Sequence, residues 1–206
     1  ADRELRRSKR RAAAGVDAWP MFGQIAAHGA MTMQQVTPPL EIAWEFVTKD
    51  QIVASPVVRD NTVYIGSRDR RLYAIDTGKG TARWSFDAPE RIESAAALSQ
   101  ELVCFGTLSG SVHGVDVASG EQRWKVVLDG PVRSSCVIEG DGLYVGTRAG
   151  EIVRLDVATG KEVWKRTLPG EISAAAAVYE DLVLVGCWDA GIHALSAADG
   201  SEVWVF

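Results

Sequence analysis

A β-propeller of four-stranded antiparallel blades, an all-β fold, is predicted by three observations. Trp44, Trp84, Trp124, Trp164 and Trp204 recur 40 residues apart, without an insertion or deletion. Glycines keep the same beat, as Gly66, Gly106, Gly146 and Gly186 and again as Gly80, Gly120, Gly160 and Gly200. Each unit holds four short apolar or alternating runs separated by turn residues, and none is long enough for a helix. A period near 40 signals stacked or radial repeats. A sandwich or barrel would not need so strict a period.

The elements follow in chain order. Residues 1–18 are a basic linker or tail, because "ADRELRRSKRR" carries six basic and two acidic residues while the other 195 residues sum to −9. No apolar run follows these charges and no aromatic residue interleaves them, so the segment reads neither as a signal peptide nor as a nucleic-acid arm. Opening on Ala rather than Met, the chain reads as a processed or excised piece of something longer. Residues 19–47 form a lead-in whose Trp19 is expected to plug against the first blades, ending in an extra outer strand, "EIAWEFV", that carries Trp44. Residues 48–206 make four blades, about 48–87, 88–127, 128–167 and 168–206.

In the first unit the strands are expected at 53–58, 62–66, 72–76 and 82–86, with "RDN", "SRDRR" and "TGKGT" as turns. First strands are built of small residues ("ASPVV", "SAAAL", "SSCVI", "AAAAV"), as crowding around a central axis demands. Second strands are apolar on both faces: Val63, Val103, Leu143 and Val183 on one, Tyr64, Cys104, Tyr144 and Leu184 on the other. Such strands must be sandwiched between neighbouring sheets. Fourth strands turn polar around a single Trp, which suits an outer edge with one inward anchor.

The turn before each Trp has a local mechanism. Asp76, Asp116 and Asp156, replaced by Ser196 in the fourth unit, can accept hydrogen bonds from the turn's amides. Gly80, Gly120, Gly160 and Gly200 then take the left-handed conformation, and the Trp swings into the groove between blades. These are docking residues, and nothing among them does chemistry.

At these positions the sequence resembles the pyrroloquinoline-quinone (PQQ) repeat family, whose docking motif reads approximately AxDxxTGxxxW. Ala74, Asp76, Gly80 and Trp84 carry it in the first unit, and Asp156, Thr159, Gly160 and Trp164 in the third. The lead-in from "WPMFG" also looks like the N-terminal start of such propellers, so the resemblance covers about 19–206. It implies one of two branches. Quinoprotein dehydrogenases hold PQQ over calcium with Glu, Asn and Asp ligands, a further Asp base and often a vicinal Cys–Cys disulfide. Non-catalytic propellers include the lipoprotein of the outer-membrane β-barrel assembly machinery and domains attached to kinases or adenylating enzymes.

The ligand set for the first branch is missing. The one Asn, Asn61, falls in a surface turn, and Cys104, Cys136 and Cys187 are not adjacent. A calcium site needs several converging oxygens, which small-residue inner strands do not supply. The expectation is a non-catalytic scaffold for protein–protein interaction, with no catalytic, cofactor or metal residues. A fragment of a PQQ-dependent dehydrogenase and a sensor domain fused to a kinase or adenylating enzyme are the alternatives. By resemblance the location is periplasm or cell envelope.

Other residues narrow the functional classes. No apolar run approaches the roughly 18 residues of a membrane span, so direct membrane insertion is not expected. Nor is nucleic-acid binding, because Arg68, Arg70, Arg71 and Arg148 make only a mildly basic rim on an acidic body. The cysteines form no CxxC pair and read as small buried residues. Of His28, His113 and His193, the last two share one repeat position with Tyr73 and Val153, two blades apart and too far to share a metal. They read as structural.

Glu93 and Arg133 align with Val53 and Ser173 at the start of the innermost strand. They read either as a salt bridge between neighbouring blades, the favoured reading, or as a polar binding surface at one end of the propeller. Trp188 is off the beat, in a turn between second and third strands, and is either a contact anchor for a protein partner or folded over its own blade. Four blades are about half of the seven or eight that the resemblance implies. The ring is expected to be completed by further residues, a second copy or another chain, unless four blades close alone.

Overall fold

The computed structural model describes residues 20–26 and 39–206. The 1–18 tail, Trp19 and His28 lie outside the described residues. Four antiparallel sheets follow one another, each a meander of four strands in sequence order. Blade 1 is β1 (Val57–Arg59), β2 (Thr62–Gly66), β3 (Arg71–Asp76) and β4 (Ala82–Asp87). Blade 2 is β5 (Ala97–Leu98), β6 (Leu102–Gly106), β7 (Ser111–Asp116) and β8 (Gln122–Val127). Blade 3 is β9 (Val137–Glu139), β10 (Gly142–Gly146), β11 (Glu151–Asp156) and β12 (Glu162–Thr167). Blade 4 is β13 (Ala177–Tyr179), β14 (Leu182–Gly186), β15 (Ile192–Ser196) and β16 (Glu202–Val205). The predicted all-β propeller architecture is what is found.

First strands are shorter than the small-residue runs suggest, β1 beginning at Val57 rather than at 53. Pro56 has no amide to give to a ladder. In blades 2 and 3 a serine replaces the ladder: Ser94 Oγ donates to Gly106 O and accepts from Gly106 N, both at 3.0 Å, and Ser134 does the same with Gly146 at 2.8 Å. The hydroxyl holds the converging inner segments together where side chains would collide.

Each third-to-fourth strand pairing carries a bulge beside the Trp, with Ala74, Gly114, Arg154 and Ala194 facing Trp84, Trp124, Trp164 and Trp204. The extra residue increases the local twist and re-aims the indole out of its own sheet. Trp44, Trp84, Trp124 and Trp164 then donate from Nε1 to the carbonyls of Thr77, Val117, Val157 and Ala197, each 33 residues on, at 2.6 to 3.1 Å. Each ring covers the glycine at the end of the same turn. At Gly120, where φ is +76°, an added Cβ would lie 2.7 Å from the Trp84 ring.

A second lock runs backwards. Ile92, Val132 and Ile172, fully buried, each open a blade and press on the preceding blade's second strand. Their amides donate to the carbonyls of Ser67, Thr107 and Thr147 at 3.0 to 3.2 Å. A Cβ on Gly106 would fall 2.1 Å from Val132 Cγ1. Between them the two locks seal β6 and β10, every residue of which is buried. Blade 4 has neither lock on its far side: Trp204 is 44% exposed and nothing lies within 4 Å of a Cβ built on Gly186.

Segment 41–47 forms no strand, contrary to the expectation of an extra outer strand. Trp44 is docked in the wedge position and Phe46 meets Tyr73 edge-on at 5.2 Å. Its side chains pack on β2 and β3, but no described strand pairs with its backbone, so it joins no ladder. Residues 20–26 do something different. The amides of Leu98 and Val178 donate to Pro20 O at 2.7 Å and Ala26 O at 2.9 Å, and Met21 and Ala26 are buried in the main apolar cluster. Residues 20–26 thus lie across the inner edges of blades 2 and 4.

The turns are held by their own carboxylates. Asp116 Oδ1 accepts from the amides of Ala118 and Ser119, both at 2.9 Å, and Oδ2 accepts from Arg123 Nη2 at 2.6 Å. The Ser119 amide, the Arg123 side chain and the remaining turn donors stabilise the ionised form, which lowers the Asp116 pKa to about 2. Stability from such a depressed carboxylate is fully present above its unfolded pKa of about 3.9 and is lost as pH falls towards the folded value. Denaturant midpoints of wild type and Asp116→Asn should therefore differ at pH 7 and converge between about pH 4 and pH 2. A gap that persists unchanged at pH 2 would show that the charge is not what matters. The backward lock makes a second test. Gly106→Ala should lose about 1–3 kcal/mol by overpacking against Val132, while Gly186→Ala, at the same repeat position, should stay within about 0.5 kcal/mol of wild type.

Candidate functional site

Of the residues singled out by sequence, Glu93, Arg133 and Trp188 lie at the end of the propeller formed by the second-to-third strand turns and the starts of the inner segments. The docking Asp, Gly and Trp residues occupy the third-to-fourth strand turns and the grooves between blades. Glu93, with its side chain 6% exposed, is clamped from two sides. Arg68 Nε donates to Oε1 at 2.8 Å and Arg133 Nη2 to Oε2 at 2.5 Å, joining the turn of blade 1 to the starts of blades 2 and 3. Charge-assisted bonds engage both oxygens, and the two guanidiniums offset the negative charge that a bound cation would need. Sequence comparison pairs Glu93 with Arg133 but misses Arg68. The signal lay in "SRDRR", whose arginines read only as a rim.

The rim itself is largely neutralised. Arg71 pairs with Asp87 at 2.8 Å and Arg148 with Glu171 at 3.0 Å. Farther round the same end, Ser173 occupies the position equivalent to Glu93 and accepts from Trp188 Nε1 at 2.9 Å. The Trp188 amide is also bonded, to Glu171 O at 3.0 Å. Its indole is nevertheless 73% exposed. The side chain is tethered to the start of its own blade while most of its surface stays exposed.

The remaining candidates are structural in geometry. His113 is buried, stacked on Phe105 at 5.2 Å, and burial lowers its pKa. Cys104 and Cys136 are buried thiols, and desolvation pushes Cys136 up to about 12, far from a reactive thiolate. Asn61 stands in the hairpin turn with φ +56°, its carbonyl taken by the Thr77 amide. His193 is different, because it meets Asp189 at 2.8 Å and Glu202 at 3.1 Å.

A PQQ–calcium centre does not fit the donors described. The inner segments present alanines and serines, with Ser94 and Ser134 committed to backbone and Ser173 to Trp188, and Glu93 is paired with two guanidiniums. The inner edges of blades 2 and 4 are taken by 20–26. No cluster of oxygen ligands converges there among the described residues.

Among curated proteins none matches the chain. Solved structures do. The chain is similar to BamB from Moraxella catarrhalis, at 25% identity and a TM-score of 0.66, over 74% of this chain and 48% of that one. It is similar in fold to the quinohemoprotein alcohol dehydrogenase of Comamonas testosteroni, at 18% identity and a TM-score of 0.84, over 97% of this chain and 42% of that one. The corresponding enzyme ADHIIG of Pseudomonas putida HK5 gives 17% identity and a TM-score of 0.76, over 97% and 41%. The chain spans less than half the length of each of these structures. The family model described as "Outer membrane protein assembly factor BamB" matches residues 40–137 and again 109–206, staggered along the repeat. The chain therefore belongs to that family of PQQ-like propellers.

Proposed function

We propose that this chain is a non-catalytic propeller scaffold that binds protein partners in a cell-envelope assembly. One observation carries the reading: Trp188 exposes most of its indole at the polar end of the propeller while a hydrogen bond to Ser173 fixes its orientation. A large amphipathic ring, pre-oriented on a rigid blade, is the kind of residue around which protein interfaces concentrate their energy. Beside it lies the Arg148–Glu171 pair, and the Arg68–Glu93–Arg133 bridge continues the same end across blades 1 to 3, a polar rim with charges matched.

The donor chemistry of the inner segments agrees with this reading, since it offers no general base or cation cradle near the axis. Membership of the BamB family supports the envelope location and the kind of partner. The end face of blade 4, with Val203, Trp204 and Phe206 exposed, is a second apolar surface available to further blades or to another chain.

The reading is tested with the purified chain as bait for envelope extracts. A partner retained by wild type should bind about 30-fold more weakly to Trp188→Ala, the loss of about 2 kcal/mol expected of an interface anchor. Circular dichroism should be unchanged, because the ring buries little. Equal retention by both proteins would remove the anchor role. Dye-linked oxidation of an alcohol by the chain supplied with PQQ and Ca²⁺ would overturn the non-catalytic assignment.

A further inference from the structure

The turn between second and third strands places different chemistry on one geometric template. In blade 1, Tyr73 donates to Asp69 Oδ2 at 2.6 Å. In blade 2 every group is neutral. Thr107 Oγ1 meets Ser109 Oγ at 2.9 Å, and His113 bonds Ser111 Oγ through Nε2 and Gln122 Oε1 through Nδ1, both at 2.9 Å. Blade 4 keeps the histidine, as His193, and exchanges its surroundings. Cys187 stands for Thr107, Asp189 for Ser109, Gly191 for Ser111 and Glu202 for Gln122.

Three of these four exchanges run from hydroxyl or amide to metal-ligating thiol or carboxylate, and the fourth removes a side chain at Gly191. The ligand atoms of Cys187, Asp189 and His193 lie within 4.8 Å of one another. His193 Nε2 points to Asp189 Oδ2 at 2.8 Å, while its Nδ1 faces Glu202 Oε2 at 3.1 Å. A carboxylate on the far nitrogen is the arrangement that fixes a metal-binding histidine in the correct tautomer. The absent side chain at Gly191 also counts, because a Cβ there would stand 3.1 Å from Asp189 Oδ1 and 3.2 Å from His193 Nε2. In blade 2 that space holds Ser111.

We propose that Cys187, Asp189 and His193 bind a single divalent transition cation of the zinc class, with Glu202 orienting His193. One thiolate, one imidazole and one carboxylate select zinc-like ions over calcium or magnesium. Bonds of about 2.0–2.3 Å put tetrahedral ligands about 3.3–3.8 Å apart, so the group needs only small side-chain adjustments around the ion. Cys187 now donates to Gly170 O at 3.3 Å and His193 Nε2 donates to Asp189 at 2.8 Å, and on binding both the thiol and Nε2 release their protons to solvent while Nδ1–H stays bonded to Glu202. Asp189 lies at the surface, and solvent fills the fourth position. The ion would clip the β14–β15 turn together and, through His193 and Glu202, tie it to β16.

Cobalt(II) titration of the whole chain in reducing buffer tests the site. The expected result is a 1:1 complex at micromolar metal with a thiolate-to-cobalt charge-transfer band that Zn²⁺ displaces. Cys187→Ser should abolish the band, and Cys104→Ala should leave it intact. Asp189→Asn, at an exposed turn position, should weaken binding without disturbing the circular dichroism. Glu202→Gln should retain the band with affinity lowered about 10- to 100-fold. Absence of the band in the wild type, or its survival in Cys187→Ser, would overturn the proposal.

Discussion

The groove between successive blades governs this structure. An indole can fill it only if the next turn offers a carbonyl to its Nε1 and a glycine to its face, and those two points lie 33 and 36 residues ahead. The strict 40-residue period follows from this double attachment. One residue inserted in a second or third strand would exchange the side chains on its two faces, and one inserted in the turn would move the glycine from under the ring. The backward lock of Ile92, Val132 and Ile172 adds a third fixed point. Blade spacing is thus set by side-chain fit rather than by a ladder between sheets, since each sheet pairs only within itself.

How much of this is legible in the sequence depends on whether a contact repeats. Trp84, Gly120 and Asp116 announce themselves because each has counterparts at the same phase, so a single mechanism explains many residues. The short first strands are less visible, because Ser94 and Ser134 replace ladder bonds with hydroxyl bonds that composition does not distinguish from crowding. The seat of 20–26 on β5 and β13 is invisible, being a non-repeating contact between distant segments. At the candidate surface, Glu93 and Arg133 are found by alignment, whereas Arg68 enters from a different repeat phase.

The cluster at Cys187 shows a different limit. Its residues are close in sequence, "CWDAGIH", but spread around a hairpin turn, so they match no common ligand spacing. Comparing His113 with His193 across blades directs attention to the histidines and away from what surrounds them. Only the structure shows that a hydroxyl network in one blade and a thiol–carboxylate set in another occupy the same frame. The repeat, having fixed the backbone, leaves such turn positions free to carry chemistry.

Trp44 fills the groove on blade 1 with a segment that has no sheet of its own. Docking in that groove therefore needs no ladder behind the indole: one ring, its N–H donor and a facing glycine are enough to seat the segment. Wedge and sheet are separable parts of the blade, and an unpaired segment carries the first without the second.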